Sequence, residues 1–341
     1  MMQRARAAVA RFATGVREGL PGVPQTAHYR GRPGGSILNP TDARLSTRAW
    51  NANPNSFRSL AMTLTPAEQA EVDAANASGK TPVVFIHGLW LLSSSWQPWR
   101  DLFEAEGYAT LAPGWPGDPE TVEAAKADED AFAGKMIQQV TDHYAEAIDQ
   151  LTGPPVLIGH SFGGMIAQKL AGEGKADVTV AIDPAQFKGV TALPLSALKS
   201  GAPALLHFNH TDHGVTLTYE QFAYGWTNAV SEEEGKALYE KYHVPASEMP
   251  IFQAATANFT RHSEAEVKTD GDDRGPLLLI AGGDDHTVPQ AVVENEYKLQ
   301  QKNVNDTELA IIPGRGHSLI IDSGWREVAD TALEFVQRYL P

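Results

Sequence analysis

Residues 156–164 read Val-Leu-Ile-Gly-His-Ser-Phe-Gly-Gly, and a helical pattern, Met-Ile-Ala-Gln-Lys-Leu, follows at residues 165–170. An apolar run that ends in Gly-x-Ser-x-Gly and continues into a helix predicts a sharp strand–turn–helix with the serine at its apex. Glycines two positions before and after Ser161 leave room for the tight backbone of such a turn. The helix would bring a free backbone N–H and its positive dipole end to the place where an oxyanion would form. Ser161 is therefore the candidate nucleophile.

A serine hydroxyl is a weak nucleophile and needs a neighbouring base. Of the eleven histidines, His317 stands in the glycine-rich loop Pro-Gly-Arg-Gly-His-Ser at residues 313–318, directly after the predicted strand Leu309–Ile312. This position leaves His317 free to point back over the sheet, so His317 is the candidate base. His87 and His160 lie beside other motifs and are interpreted as buried hydrogen-bonding neighbours.

Three aspartates are candidates for the acid that orients the base. Asp284 and Asp285 follow the predicted strand Leu277–Ala281 in the loop Gly-Gly-Asp-Asp-His-Thr-Val-Pro. Ligand sites gather at the carboxyl ends of parallel strands, where this loop would lie. Asp285 is favoured because it stands three residues before the Val-Pro pair that opens the next helix, whereas Asp284 lies in the tighter glycine turn. Asp183 follows an earlier predicted strand and could also reach the histidine.

The turn at residues 87–90, after the first strand predicted in the main body, reads His-Gly-Leu-Trp. Its glycine lets the backbone turn so that the next N–H faces inward. The backbone N–H groups of Leu89 and Phe162 are the predicted oxyanion donors. Trp90 and Trp115 both follow strand ends on the same side of the sheet and are predicted to line the substrate pocket, with core packing as the alternative for each.

From Thr81 onward, short β-branched runs alternate with longer amphipathic stretches, which predicts a mostly parallel sheet flanked by helices. The alternation breaks between Ile182 and Leu277 for about ninety residues, too long for a loop, so we expect an insertion with its own helices. Its many aromatic side chains could cover a pocket, although most are expected to form the insertion's own core. The predicted strands are Val83–Ile86, Ala109–Leu111, Val156–Ile158, Val178–Ile182, Leu277–Ala281 and Leu309–Ile312, and the predicted helices are Ser95–Glu106, Lys135–Leu151, Gly163–Ala171, Gln290–Gln301 and Gly324–Leu340.

These motifs resemble the α/β-hydrolase superfamily over roughly residues 80–341, because Ser161, Asp285 and His317 follow that fold's chain order of nucleophile, acid and base. The stretches His-Gly-Leu-Trp, Gly-His-Ser-Phe-Gly-Gly and Asp-His-Thr-Val-Pro are similar to those of serine esterases and of cofactor-free haloperoxidase-like perhydrolases. The resemblance implies an α/β-hydrolase fold, with a mostly parallel central sheet flanked by helices and a mainly helical cap inserted after the sixth strand. It also implies ester hydrolysis through an acyl-serine, with no cofactor.

One loop departs from this family pattern. After the strand Ala109–Leu111 those enzymes usually carry an Asp-x-Arg-Gly-x-Gly-x-Ser-like loop, whereas residues 113–118 read Pro-Gly-Trp-Pro-Gly-Asp. We therefore expect an altered pocket wall. The predicted domains are an N-terminal arm and wrapping segment at 1–80, a hydrolase core at 81–183 and 271–341, and a cap, or lid, at 184–270.

Composition excludes several other classes of function. The chain has 42 acidic and 27 basic residues, and its net charge of −15 disfavours binding to nucleic acid. It contains no cysteine, so it has no disulfide, no thiolate zinc site and no cysteine nucleophile. No apolar stretch approaches the ~18 residues of a membrane-spanning helix, so no integral membrane association is predicted. A serine nucleophile also disfavours haloalkane dehalogenase and epoxide hydrolase activity, which need an aspartate there.

The N-terminal arm is basic and alanine-rich, with apolar residues at helical spacing. It reads as a frayed helix packed on the acidic body or, alternatively, as a targeting segment. The apolar run of a secretory signal is missing, and a cytoplasmic location is predicted. The arginines before the first acidic residue are Arg4, Arg6, Arg11 and Arg17.

A group of histidines in the insertion has spacing that permits a metal site. His207, His210 and His213 are three residues apart, beside Asp212. Their glycine and polar surroundings indicate a loop, in which such spacing defines no common face. No metal site is therefore predicted.

The predicted function is a serine hydrolase that cleaves a small to medium-sized, apolar carboxylic ester. One alternative is acyl transfer, or perhydrolysis, by the same residues, which depends on how well the cap excludes water. Another is a ligand receptor with negligible turnover, against which the complete set of Ser161, Asp285 and His317 argues. The expected partner is a small-molecule ester.

Overall fold

The fold is seen in a computed structural model that describes residues 64–192, 194–206 and 213–340. A six-stranded sheet runs through this part of the chain in the order β2-β1-β3-β4-β5-β6, and all neighbouring strands are parallel. The predicted mostly parallel α/β sheet is confirmed. The strands are β1 (Pro82–Ile86), β2 (Ala109–Leu111), β3 (Val156–His160), β4 (Val178–Ile182), β5 (Leu277–Gly282) and β6 (Thr307–Ile312).

Helices flank the sheet and build the insertion. None of the described helices is long and apolar enough to cross a membrane. The α-helices of the described ranges are α1 (Pro66–Ser78), α2 (Gln97–Ala105), α3 (Val122–Ala127), α4 (Ile137–Asp149), α5 (Phe162–Gly172), α6 (Leu195–Leu206), α7 (Tyr219–Gly225), α8 (Glu232–Tyr242), α9 (Met249–Thr256), α10 (Gln290–Gln300) and α11 (Trp325–Tyr339).

All six predicted strands form, with two notable differences in their ends. β3 runs on to His160, because Gly159 and His160 still pair with β4. β6 begins at Thr307 rather than Leu309, and Thr307 pairs with Leu277 of β5. β6 lies at the edge of the sheet and is only partly buried, so it tolerates polar residues that a search for apolar runs passes over.

The predicted helix Ser95–Glu106 is two elements. A 3₁₀ turn at Ser93–Trp96 precedes α2, and Pro98 stands in the first turn of α2. Proline has no N–H and fits the first turn of a helix, where that group has no intrahelical acceptor, so α2 begins there rather than two residues earlier. The other predicted helices form, with their ends shifted by one or two residues.

The insertion between β4 and β5 contains α6 to α9 and one antiparallel bridge, Val215 with Ala246. Its place in the chain is the predicted one. Among the described strands it follows β4, and the family's count of six strands before the cap is not tested, because residues 1–63 lie outside the described residues. The domain boundaries at 80, 184 and 270 stay predictions. Residues 1–63, with the basic arm, lie outside the described residues.

An aromatic cluster holds β1 and thereby the turn at its end. The ring of Phe85, in β1, lies 5.1 Å from Trp96 and 5.6 Å from Phe103, and all three are fully buried. Trp99 packs edge-on to Phe85 and donates its Nε1–H to the carbonyl of Ile320 at 3.0 Å. Burying a ring of this size contributes about 2–3 kcal/mol. β1 is thus fixed on the side from which residues 87–90 emerge.

Candidate active site

Ser161 stands at the apex of the turn between β3 and α5. Its backbone has φ 57° and ψ −123°, a strained conformation for a residue with a Cβ atom. Its N–H donates to the carbonyl of Ile182 at 3.0 Å, which ties the turn to β4. A Cβ atom on Gly163 would lie 2.1 Å from the carbonyl oxygen of Ile86, and one on Gly159 would lie 2.2 Å from that of Gly163. The glycines permit this approach.

Two backbone N–H groups beside Ser161 are available to a ligand. The N–H groups of Leu89 and Phe162 donate to no acceptor in the described part of the chain. Phe162 is the first residue of α5, where a helix has no acceptor of its own for that group. Leu89 is brought close by Gly88, on which a Cβ atom would lie 2.7 Å from Ser161 Cβ. The geometry offers two candidate donors to an oxyanion next to Ser161.

Asp285 and His317 form a fully buried pair. Asp285 Oδ2 accepts a hydrogen bond from His317 Nδ1 at 2.6 Å, and Asp285 Oδ1 accepts the backbone N–H groups of Thr287 at 2.6 Å and Val288 at 2.9 Å. Burial acts to raise the pKa of Asp285, but the charge and hydrogen bond of His317 oppose it, and the pKa is lowered overall. Of the two neighbouring candidates, Asp285 contacts the histidine, whereas Asp284 is exposed to solvent.

The second nitrogen of His317, Nε2, is buried and has no hydrogen-bond partner among the described residues, so it is not bonded to Ser161 Oγ. Such bonds are often long until a substrate is bound. The ring of His160, which precedes Ser161, lies 4.5 Å from the His317 ring, and the ring of Trp226 lies 4.6 Å away edge-on. In the described part of the chain, His317 Nε2 is therefore a buried nitrogen to which no protein group donates.

The two rings beside His317 were not assigned this place from the sequence. Burial, and after it the charge of His317, hold the pKa of His160 well below its usual value, so His160 is a neutral neighbour. Trp226 directly follows α7 of the insertion, and its carbonyl accepts the N–H of Ser318 at 3.1 Å. One aromatic of the insertion thus covers the candidate base, and only the tertiary contact identifies which.

Asp183, the third acid candidate, also lies here. It is fully buried at the end of β4, and its Oδ1 accepts the N–H of Gly282 at 2.7 Å. Oxygen and nitrogen atoms of Asp183, Asp285 and His317 lie within 4.8 Å of one another. This spacing would suit a cation, but Asp285 and His317 Nδ1 already bond to each other, so the group fits a hydrogen-bond network better than a metal.

A cavity of about 100 Å³ opens beside Ser161. Trp90 lines it, and the Trp90 Nε1–H donates to the carbonyl of Val215 at 3.0 Å, which links the 87–90 turn to the insertion. Most of the wall is aliphatic, and one side is formed by α6. Its lining residues are Trp90, Ser161, Phe162, Ala185, Gln186, Ala197, Leu198, Ser200, Gly201, Leu205, Ile251, Ala254, Thr287, Val288 and Val292.

Trp115 is not among the residues that line this cavity, and its predicted place in the substrate pocket stays a prediction beside the alternative of core packing. Its ring stacks on that of His87 at 5.7 Å, and its Nε1–H donates to the His87 carbonyl at 3.1 Å. An indole has a large apolar face and one donor, and the back of the 87–90 turn satisfies both. Trp115 thus supports the turn from behind through its contacts with His87.

Behind the 87–90 turn lies a second buried group of charges, the His87–Asp118–Lys135 cluster. His87 Nε2 is 3.4 Å from Asp118 Oδ2, and Lys135 Nζ forms an ion pair with Asp118 Oδ1. All three side chains are nearly fully buried. Asp118 and Trp115 belong to the loop 113–118, whose sequence departs from the family pattern. This loop therefore supports the 87–90 turn, and the wall of the described cavity has no residue from it.

The structure describes only one member of the histidine group for which no metal site is predicted. His213 forms an ion pair with Asp130, and both are exposed. His207, His210 and Asp212 lie outside the described residues.

Comparisons with known proteins agree with this architecture. A sequence profile of the alpha/beta hydrolase family matches residues 83–331. A search of curated protein sequences found no significant match. The structure is similar to the monoacylglycerol lipase of Paleococcus ferrophilus, with 20% identity, a TM-score of 0.54, and coverage of 76% of this chain and 94% of the lipase.

Two esterases are similar to the same degree. A carboxylesterase of the thaumarchaeon Nitrososphaera gargenis is 18% identical, with a TM-score of 0.55 and coverage of 77% of this chain and 92% of the esterase. A thermophilic esterase from Thermogutta terrifontis is 18% identical, with a TM-score of 0.55 and coverage of 76% and 90%. Identities this low support the fold, and the haloperoxidase-like branch stays a prediction. The family profile spans most of the chain and the sheet carries the family's strand–turn–helix motif, so this chain belongs to the α/β-hydrolase family.

Proposed function

We propose that this chain is a serine hydrolase that cleaves a carboxylic ester through an acyl-serine intermediate. One observation carries the proposal: the buried hydrogen bond of 2.6 Å between Asp285 Oδ2 and His317 Nδ1, which leaves Nε2 without a partner on a ring packed against His160, the residue before the strained Ser161. A base that is oriented by an acid on one nitrogen and open on the other suits the activation of a hydroxyl.

In the proposed reaction, Ser161 Oγ attacks the ester carbonyl carbon while His317 Nε2 accepts the hydroxyl proton. Asp285 holds the other proton on Nδ1 and stabilises the imidazolium. The tetrahedral oxyanion accepts hydrogen bonds from the N–H groups of Leu89 and Phe162. The C–O bond to the alcohol then breaks, and His317 returns its proton to the leaving oxygen. Water, deprotonated by the same Nε2, then attacks the acyl carbon; the bond to Ser161 Oγ breaks, His317 returns the proton to Oγ, and the carboxylic acid leaves.

The substrate class follows from the cavity beside Ser161. Its volume of about 100 Å³ is smaller than a cavity of about 150 Å³ that holds benzene. The mainly aliphatic lining favours an apolar group over a charged one. We therefore propose a short apolar acyl or alcohol group. The lipase and esterases of similar fold support ester cleavage as the reaction. They do not identify the substrate.

The test combines a fluorophosphonate with p-nitrophenyl esters of graded chain length. We expect one adduct by intact mass, mapped to Ser161, and turnover that is greatest for the short esters. Ser161→Ala is the matched control and should give neither adduct nor turnover. An adduct without turnover would favour acyl transfer or a receptor, and turnover retained by Ser161→Ala would contradict the mechanism.

A further inference from the structure

We propose that Asp183 is a positioning residue that holds a proton and donates it in a hydrogen bond to Asp285. The candidate acid would then be one of a pair of carboxyl groups, with one ionised and the other neutral. This inference rests on the proposed function, because it takes Asp285 and His317 as the acid and the base. It adds a second buried carboxyl group to the reaction machinery, acting through Asp285 rather than on the substrate.

Asp183 is held rigidly against the start of the Asp285 loop. It is the residue directly after β4, and its φ of 38° is unusual for a residue other than glycine. Its N–H donates to the carbonyl of Ile280 at 2.8 Å, and its Oδ1 accepts the N–H of Gly282 at 2.7 Å. Both partners belong to β5, the strand that leads into Asp285. One bond thus holds the strained backbone of Asp183, and the other fixes the direction of its side chain.

Counting hydrogen bonds places the proton on this pair. The Asp285 carboxylate accepts three N–H groups, from Thr287, Val288 and His317, and a carboxylate has about four acceptor positions. If both aspartates were ionised, Asp183 Oδ2 would be buried without a donor in the described part of the chain. A proton on that oxygen lets it donate to Asp285, which fills the fourth position. One proton therefore satisfies two carboxyl groups.

The charges around Asp183 favour the same assignment. The titratable groups within 4.8 Å of it are Asp285 after β5 and His317 after β6, and the ring of His160, at the end of β3, packs on that of His317. No described lysine or arginine forms an ion pair with it. Burial first, and then the charge of Asp285, raise the pKa of Asp183 well above its usual value, whereas the pKa of Asp285 is lowered. Two carboxylates this close do not both ionise, and the one bonded to His317 keeps the charge.

We expect Asp183 to orient the Asp285 carboxylate and to lower its basicity. A hydrogen bond from Asp183 holds the Asp285 carboxylate at a further point and withdraws part of its negative charge. Removal of this donor leaves a more basic carboxylate beside the imidazole. His317 would then remain protonated to higher pH, and the acidic limb of the kcat/KM profile would move in that direction.

The decisive comparison is between Asp183→Asn and Asp183→Ala. Asparagine keeps an oxygen for the Gly282 N–H and offers an N–H donor to Asp285, so we expect its acidic limb to match the wild type and its kcat to stay within about threefold. Alanine loses both bonds, so we expect kcat to fall about tenfold and the acidic limb to move to higher pH. Rescue by asparagine is what a proton-donating role requires, since Asp183→Asn carries no charge.

Three outcomes would overturn the proposal. If Asp183 is ionised in the wild type, Asp183→Asn removes a negative charge beside His317, and the acidic limb moves to lower pH. If Asp183→Asn loses as much activity as Asp285→Asn, Asp183 is itself the acid. If the alanine and asparagine variants behave alike, the hydrogen bond to Asp285 has no effect on the reaction.

A spectroscopic measurement tests the proton without catalysis. The infrared difference spectrum of the wild type minus Asp183→Asn, at neutral pH, should contain the carbonyl band of one neutral carboxylic acid. A carboxylate band in its place would refute the neutral state. Absence of both turnover and a fluorophosphonate adduct in the wild type would refute the proposed function instead, and the infrared result would still decide whether Asp183 holds a proton. Thermal unfolding of each variant checks that it is folded.

Discussion

Two buried groups of charged side chains flank Ser161, and they differ in how their charge is compensated. Behind the 87–90 turn, the Asp118 carboxylate has a cation, Lys135, as its partner. On the other side, Asp285 accepts from His317 and from backbone N–H groups and pairs with no described lysine or arginine, and His317 Nε2 has no partner among the described residues. The first arrangement neutralises charge within the fold, whereas the second leaves an acceptor for a proton. The His87–Asp118–Lys135 cluster therefore supports the site, and the Asp285–His317 pair performs the proposed chemistry.

The largest effect is expected from Asp285→Asn. The amide cannot hold His317 in the tautomer that leaves Nε2 as acceptor, so we expect kcat to fall about 10⁴-fold with little loss of stability. Steady-state kinetics and thermal unfolding measure the two quantities. Asp284→Asn is the matched control and should behave like the wild type. A strong loss in the control with activity retained in Asp285→Asn would reverse the assignment of the acid.

Breaking the His87–Asp118–Lys135 cluster should instead lower stability strongly and activity only weakly. Lys135→Met leaves the Asp118 carboxylate buried without its cation, so we expect the free energy of unfolding to fall by about 3–5 kcal/mol, measured in urea. The activity of the remaining folded enzyme should fall much less than in Asp285→Asn. The double variant Asp118→Asn with Lys135→Met should recover part of the stability, because no charge is then left unpaired. Equal stability of the single variant and the wild type would show that the pair is not desolvated.

A smaller effect, on substrate preference, should distinguish the cavity wall from the support behind the 87–90 turn. Ile251 lines the cavity, and Ile251→Ala enlarges it, so we expect the kcat/KM ratio of longer to shorter esters to rise about tenfold. Trp115→Phe, in the support behind the turn, should leave this ratio unchanged, although it loses the hydrogen bond to the His87 carbonyl. A changed ratio in Trp115→Phe would place that side chain in the pocket after all.

The smallest effect concerns another buried carboxyl group, that of Glu296, which belongs to neither cluster. Glu296 Oε2 accepts from Gln168 at 2.8 Å, and burial raises the pKa of Glu296 well above its usual 4.5. The folded protein therefore holds a proton that the unfolded chain releases, so stability falls as the pH rises from 4.5 through the folded-state pKa. Glutamine is neutral in both states and removes this loss.

For Glu296→Gln we accordingly expect a higher Tm than the wild type at neutral pH and nearly equal Tm values below pH 4.5, with unchanged kcat. Thermal unfolding across this pH range is the measurement. A Tm difference that is independent of pH would mean that the glutamate is not neutral in the folded protein. A change in kcat would show that the Glu296 carboxyl group does affect the candidate site.

Sequence reasoning succeeded where the physics is local. The six strands and the strand–turn–helix around Ser161 follow from apolar runs and from glycines within a few residues of each other, because backbone conformation depends mainly on near neighbours. The positions of Asp285 and His317 after strand ends followed from the parallel arrangement, in which the carboxyl ends of strands meet at one edge. The basic arm and the domain boundaries stay predictions.

Tertiary structure alone decided which buried polar groups meet. Asp183 contacts Gly282, 99 residues away, and Trp115 turned to the back of the 87–90 turn rather than to the cavity. No local pattern distinguishes these outcomes, since a tryptophan after a strand end suits either place. The sequence by itself determined the fold and the residue types available at the edge of the sheet. Packing between distant segments determined which of these residues are desolvated together, and desolvation is what sets their protonation and their partners.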